Sequence, residues 1–425
     1  MNVPENSIYI SPEQLCVGLY IHLDLSWMDH SFPFSSFKIK NEEQIKTIRQ
    51  LGLKRIRIEP EKGDSKPLPL APKASTTAPP PVLTTPEDTA ALQAKQARIE
   101  QLNRIRRDII AVEKEFQQAS ETIKKINLNI HSRPKEVLEE TAKLVETMVE
   151  SILAKGDVMI HAMSESLGAD VYFHALNVTV LSLILAKALH MNEEDSKHLG
   201  MGAVFHDIGK VDIPNKILMK TEPLTKPEQT FFEMHCDYGL DIANKIKLSK
   251  QATEVIRQHH EYIDGSGYPK KLKADQISPL SKIVSIVNMY DNLCNPINLA
   301  DALTPHEALS QMFAIKRSKF DVVALKALIQ CLGVYPPGSV VQLSNDMLGM
   351  VVSVNSAKPL KPNILVYDPG IPKEEAVIIN LEQENDLSIT KSIRPGQLSR
   401  EVYQYLNPRK RVTYYFDPNK QNEAS

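Results

Sequence analysis

The sequence predicts a mainly α protein: a helical bundle with a small α+β module at its N-terminus and a small β-rich appendage at its C-terminus. Three observations predict it. Apolar residues recur at steps of three and four through most of the stretch from about residue 88 to residue 333. Near the start, β-rich stretches flank a short segment of helical spacing. From Tyr335 onward, short apolar runs sit between turn residues. The 425 residues are enough for two or three domains and a sizeable core.

Taken in order, residues 1–59 form the α+β module. SIYISPEQLCVGLYIHLDL has β character, NEEQIKTIRQLG has helical spacing and a glycine stop, and LKRIRIE alternates like a strand. Residues 60–88 read as a linker, because eight of the 29 are proline and Ser, Thr and Ala fill much of the rest. Residues 89–134 carry a heptad-like stripe: Ile99, Leu102, Ile105, Ile109, Val112, Phe116, Ala119, Ile123 and Ile126. That stripe suits either a homodimer seam over 99–126, with the helix relaying a signal, or a long helix packed on its own domain. Pro134 breaks the pattern, and residues 135–333 are mostly helical, with one glycine-rich loop at 264–269. Residues 334–425 are the β-rich appendage, in which SVVQLSNDMLGMVVSVN and PNILVYD read as strands.

Composition narrows the function. The formal charge, 50 − 52 = −2, argues against a nucleic-acid polymer as partner. The first residues, MNVPENSIYI, lack the basic and apolar regions of a secretory signal, so a cytoplasmic location is expected. The most apolar stretch, 175–189, is 15 residues long and includes Asn177 and Lys187, too short and too polar for a membrane span. The four cysteines are scattered without CxxC spacing, which indicates neither a disulfide framework nor a structural zinc site.

The histidines carry the chemistry. Of the 12, His174, His206, His235, His259 and His260 occur in settings that suit metal ligation, and Asp207 follows His206 directly. Imidazole with carboxylate and no thiolate suits Fe, Mn or Zn. The spacings of 24 to 32 residues between successive groups bring ligands from successive helices into a bundle interior. In GMGAVFHDIGK, adjacent ligands point in different directions, which lets Asp207 bridge two metals while His206 binds one. Gly209 permits a turn, and Lys210 adds a compact cation. Asp170 and His174, at i and i+4, share a helical face. HHEYIDGSGYP ends a helix and enters a loop in which Gly265 and Gly267 permit unusual backbone geometry and Tyr268 can reach a pocket mouth. A lone histidine on a helix is usually structural, which is the reading for His161, His190, His198 and His306.

In HDIGKVDIPNKIL (206–218), KTEPLTKPEQTFFEMH (220–235) and HHEYIDGSGYP (259–269), the segment 135–333 resembles the HD-GYP domain of the HD metal-dependent phosphohydrolase superfamily. The resemblance implies an all-helical domain with two or three metals, usually iron or manganese. It also implies hydrolysis of the bacterial second messenger cyclic di-GMP, to linear pGpG or to GMP, by a metal-activated hydroxide. The N-terminal module resembles an accessory domain found in a branch of this family. His174, His206, Asp207, His235, His259 and His260 match metal ligands, with Asp207 in the bridging place. Asp170 matches a position where some members have a glutamate that holds a third metal. Lys210 matches the lysine that touches the scissile phosphate, and Tyr268 the tyrosine of the signature loop. Glu261 and Asp264 read as residues that support the ligands from behind or fix the loop.

Two departures stand out. The last ligand of the superfamily is an aspartate, and here SIVNMYDNL places Asn288 there, with Asp291 one turn later. Asn288 can still ligate through its carbonyl oxygen. Where most members carry basic residues that grip phosphate, this chain has Ile297 and Ala300. The phosphodiesterase is therefore weighed against a cyclic di-GMP receptor with little turnover, signalling through the helix and N-terminal module, and against an HD hydrolase of another nucleotide.

Overall fold

A computed structural model describes residues 8–25, 30, 32, 36–69, 86–154, 158–163, 172–371, 373, 376–384, 386–408 and 412–417. Two compact units divide the chain, one of residues 1–104 and 367–377, the other of 105–366 and 378–425.

In the first unit, β1 (Ile8–Ile10), β2 (Tyr20–His22), β3 (Ser36–Lys38) and β4 (Ile56–Ile58) form an antiparallel sheet in the order β1-β4-β2-β3. Helix α1 (Glu42–Gln50) is capped by Asn41, whose side chain accepts from the Gln44 N–H. Ile45 and Ile48 of α1 join Leu15, Leu19, Ile21, Ile56 and Ile58 in a closed core. The expected linker start at residue 60 needs correction. Residues 60–69 return along this module: the Asp64 N–H donates to Gly18 O, the Leu68 N–H to Gln14 O, and Lys38 pairs with Asp64. The rest of the expected linker, through residue 85, lies outside the described residues.

Helix α2 (Pro86–Asn129) carries the heptad-like stripe. The side chains of Ile99, Leu102 and Ile105 lie outside the described residues, and Ile109 is half-buried. Val112, Phe116, Ala119, Ile123 and Ile126 are all buried in the core of the second unit. The stripe from residue 112 on thus faces the chain's own domain.

The second unit continues with α3 (Pro134–Leu153), β5 (Met159–Ala162), α4 (Tyr172–Ala188), α5 (Glu193–Phe205), α6 (Asn215–Leu218), α7 (Lys226–Glu233), α8 (His235–Lys245), α9 (Lys250–Gln258), α10 (Pro279–Cys294), α11 (Pro305–Ala314) and α12 (Val322–Leu332). Local sequence sets many of these boundaries. Pro134 starts α3, Ser278 and Pro279 start α10, and Thr304 with Glu307 forms a capping box on α11. Helix α4 is apolar almost all round, which matches its place in the middle of the bundle, against α5, α10, α12 and α3.

Strands β6 (Val340–Leu343), β7 (Leu348–Asn355), β8 (Asn363–Val366), β9 (Ile378–Asn380), β10 (Ile389–Ile393) and β11 (Tyr414–Phe416) follow, with α13 (Arg400–Leu406) before the last strand. The sheet is antiparallel, in the order β10-β6-β7-β5-β11, with β8 pairing β7 and β9. β5 was not expected. The run MIHA lies inside the helical block by sequence, yet it is the strand that joins β7 to β11.

Candidate metal centre

Three of the candidate ligands use one local device. The last turn of an α-helix leaves carbonyl groups without an intrahelical donor. His206, at the end of α5, takes Ala203 O at 2.7 Å with its Nδ1. His235, just past α7, takes Phe232 O at 2.7 Å. His259, at the end of α9, takes Ile256 O at 2.8 Å. A carbonyl only accepts, so each Nδ1 is the donor and each neutral ring keeps its lone pair on Nε2.

Those Nε2 atoms converge. His174, in the first turn of α4, brings its Nε2 to 3.1 Å from His206 Nε2, and His235 Nε2 lies 3.3 Å from His259 Nε2. Asp207 stands between the two pairs. Its Oδ2 is 3.4 Å from His174 Nε2 and 3.3 Å from His206 Nε2. Its Oδ1 is 3.4 Å from His235 Nε2 and 3.5 Å from His259 Nε2. His260 joins the second group, so one cluster is Asp207, His235, His259 and His260, and the other is His174, His206 and Asp207.

The donor set fits divalent cations. Asp207 Oδ1 and His260 Nε2 are buried and have no hydrogen-bond partner within the chain. Two unprotonated Nε2 lone pairs facing each other need a cation or a proton between them, and buried polar atoms without partners are costly. Nitrogen and carboxylate donors with no thiolate suit Fe, Mn or Zn.

Electrostatics follow from burial and the single carboxylate. Burial lowers His206 to about 4 and His235 to about 3, and it holds His260 well below the ordinary histidine value. Burial would lower His174 too, but Asp207 and Asp291 outweigh it and raise it to about 9. Burial would raise the Asp207 carboxyl; Lys210 and the neighbouring histidines hold it well below the usual range. Lys210 Nζ sits 2.5 Å from Asp207 Oδ2 and 5.5 Å from the Phe232 ring centre. Cys236 is buried beside His235, and burial pushes its thiol up, so it stays protonated.

The signature loop closes one side. Tyr268 stacks on His260 with ring centres 4.4 Å apart. Glu261 is buried, and its carboxylate accepts from the Lys270 and Leu272 N–H groups, while Asp264 accepts from the Ser266 N–H. Both acids therefore fix the loop. Gly209 and Gly267 matter through close approach. A Cβ on Gly209 would overlap the His235 carbonyl and the Gly239 nitrogen, and one on Gly267 would overlap His260 O and Tyr262 N. Gly265, with φ +78°, does need the left-handed region.

Of the remaining expected residues, Asp170 lies outside the described residues. Asn288 is buried on α10, and its Oδ1 accepts from the Asn292 amide at 2.8 Å. Ile297 is 51% exposed and Ala300 is exposed as well. Sequence reasoning missed the supports of His174. Its Nδ1 meets Asp291 Oδ2 at 2.5 Å, and Asp291 is held in turn by Asn177 and Asn295. Asn177 lies three residues after His174 and so on the same helical face, the one local signal available.

Residues 131–323 match the family model for the HD domain. Residues 7–141 match a domain of unknown function (DUF3391), and residues 340–401 a KOW domain associated with HD domain. Cyclic di-GMP phosphodiesterase PA4108 of Pseudomonas aeruginosa is 25% identical over 362 residues, covering 83% of this chain and 83% of that protein. Cyclic di-GMP phosphodiesterase PdeB of Borreliella burgdorferi is 27% identical over 216 residues, 51% of this chain and 56% of its own length. The 3'3'-cGAMP-specific phosphodiesterase 2 of Vibrio cholerae is 30% identical over 173 residues, 40% of this chain and 32% of that protein.

Proposed function

Residues 131–323 belong to the HD domain family, and from that premise we propose that the chain is a metal-dependent phosphodiesterase that hydrolyses cyclic di-GMP to pGpG or GMP. The observation that carries this reading is the placement of Asp207, one carboxylate oxygen toward His174 and His206 and the other toward His235 and His259. In this assignment His174, His206 and Asp207 would hold one metal, and Asp207, His235, His259 and His260 would hold the other. Asn288 is an additional oxygen donor, and Asp170 the acid for a third ion. This mix of imidazole and carboxylate suits Fe, Mn or Zn, and the family resemblance favours iron or manganese among them. When bound, such ions supply Lewis acidity and a nucleophilic water at neutral pH.

The chain's own residues do the rest. The four imidazoles whose Nδ1 is already engaged are held in one orientation, with Nε2 turned to the centre. Lys210 places a cation beside the bridging carboxylate, where it stabilises charge developing on a phosphoryl oxygen. Tyr268, stacked on His260, offers an aromatic face and a phenol at the edge of the centre. Burial raises that phenol, so it acts as a hydrogen-bond donor, never as an anion. A bacterial second messenger as substrate supports a cytoplasmic location in a bacterium. A homodimer through the 99–126 helix would have to use its first half, where Ile110 is 65% exposed, since residues from Val112 on are core.

A second reading has a specific basis. Ile297 and Ala300 present no charge where phosphate is usually gripped, and Asn288 lacks the usual negative charge. A cyclic di-GMP receptor with little turnover fits those three positions. The test is anaerobic purification with metal analysis, then product chromatography on cyclic di-GMP and on 3'3'-cGAMP with Fe(II) or Mn(II) added. Linear pGpG or GMP from cyclic di-GMP is expected. Tight binding without product from a metal-loaded protein supports the receptor, and product from 3'3'-cGAMP alone supports another nucleotide.

A further inference from the structure

The C-terminal strand is tied into the metal centre. Asp291, 1% exposed on α10, spends Oδ2 on His174 Nδ1 and Oδ1 on two amides, Asn177 Nδ2 at 2.7 Å and Asn295 Nδ2 at 2.9 Å. Each amide also holds the backbone of residues 412–414. Asn177 donates to Val412 O at 3.0 Å and accepts from the Tyr414 N–H at 2.7 Å. Asn295 donates to Val412 O at 2.7 Å and accepts from the Val412 N–H at 2.7 Å. Tyr414 adds a hydroxyl contact to Tyr290 of α10 at 2.7 Å. The strand is held on its other side by β5, in register Tyr414↔Ala162.

From this we infer that Asn177 and Asn295 are positioning residues of the metal centre, and that the strand at 412–416 is a working part of it. A buried carboxylate holds a fixed position only when its lone pairs are all occupied. Here two amides occupy Oδ1, and each amide is itself locked by strand backbone. The chain 412–414 therefore sets where Asp291 sits, Asp291 sets the tilt and tautomer of the His174 ring, and His174 serves the cluster it shares with His206. In the other cluster, His235 and His259 lean instead on the carbonyls of Phe232 and Ile256. Loosening the strand should therefore weaken one metal position and spare the other.

This inference rests on the two-cluster metal reading above, so its test reads metal binding directly. Full-length protein, stripped with chelator, is titrated with Mn(II), and free Mn(II) is followed by electron paramagnetic resonance. Asn177→Ala and Asn295→Ala are each compared with wild type and with Leu325→Ala, a core truncation on α12 outside the network. Loss of an outer partner of a metal-bound histidine typically costs about 10–100-fold in affinity. The expected result is that loss in one of two Mn(II) steps for both asparagine variants, with the other step unchanged. Leu325→Ala should lower the melting temperature and leave both steps in place. Asn295, at the end of α10, is only part-buried, so its variant keeps the test open if Asn177→Ala fails to fold. Asparagine variants that bind both Mn(II) ions as wild type does would overturn the inference. Wild type that binds no Mn(II) would instead overturn the metal reading beneath it.

Discussion

His174 Nε2 and His206 Nε2 face each other at 3.1 Å, although the His206 Nδ1 already donates to a helix-end carbonyl and the His174 Nδ1 is bound to Asp291. His174, raised to about 9 by Asp207 and Asp291, fills that gap with its own Nε2–H, whereas His235 Nε2 and His259 Nε2 face each other at 3.3 Å with both Nδ1 atoms already donating to carbonyls, an arrangement that a cation between them relieves. Metal binding should therefore stabilise the fold and not merely enable turnover. With free Mn(II) at a hundred times its dissociation constant, each site contributes about 2.7 kcal/mol, a shift of several degrees in melting temperature. Calorimetric scans of chelated and Mn(II)-reloaded protein check this. Superimposable scans would count against the metal centre.

Asp207→Asn keeps the side-chain shape and removes the charge that both clusters share. The variant should lose metal from both positions at once, and phosphodiesterase activity should fall by more than about a hundredfold, beyond the loss of an outer partner alone. His206→Ala together with Asp207→Ala should abolish turnover. Metal stoichiometry and turnover are read on the same samples, and full activity in the double variant would sink the phosphodiesterase reading.

How much of this was legible in the sequence depends on how local the physics is. His206, Asp207 and the loop 259–269 could be read because adjacent residues carry the chemistry in order. Caps and prolines marked the starts of α3, α10 and α11 for the same reason. What could not be read are pairings set by topology. Asp291 reaches His174 across 117 residues, and Val412 reaches Asn177 across 235. β5 is a four-residue strand whose only recommendation is the sheet it completes. Gly209 was expected to serve a turn, but its constraint is the closeness of Gly239 and His235, which no spacing encodes.

The stripe on α2 makes a separate prediction. Phe116 packs 5.2 Å from Phe173, the neighbour of His174, and 5.8 Å from Tyr415 of β11. Phe116→Ala should cost about 3–5 kcal/mol by denaturant unfolding, the usual loss for a buried aromatic. If Phe116 were instead a dimer seam, the variant would become monomeric by light scattering while monomer stability stayed put.

The N-terminal module should carry a pH signature. His22 bonds Ser36 and Glu59, and burial, with Arg57 nearby, lowers it from the ordinary value of 6.5. Below 6.5 the unfolded state takes up a proton that the folded state refuses, so stability falls as pH drops toward the lowered folded value and is flat above 6.5. His22→Gln retains a donor for Glu59 and removes the titration. Its melting temperature should depend less on pH between about 5 and 7 than that of wild type. Equal slopes in the two proteins would rule out His22 as the source.

Asn288 gives the sharpest test of the metal assignment. It is 3% exposed, and its Oδ1 already accepts from Asn292 at 2.8 Å, an arrangement an aspartate could keep. As a ligand, asparagine offers one oxygen and no charge, so a cation there is held more weakly than by aspartate. Asn288→Asp should then tighten Mn(II) binding and raise activity at limiting metal, with little change at saturation. If Asn288 only hydrogen-bonds, the exchange buries an unpaired charge and costs about 1–3 kcal/mol. Metal titration beside melting curves separates the two. Unchanged affinity with a lower melting temperature would remove Asn288 from the ligand set.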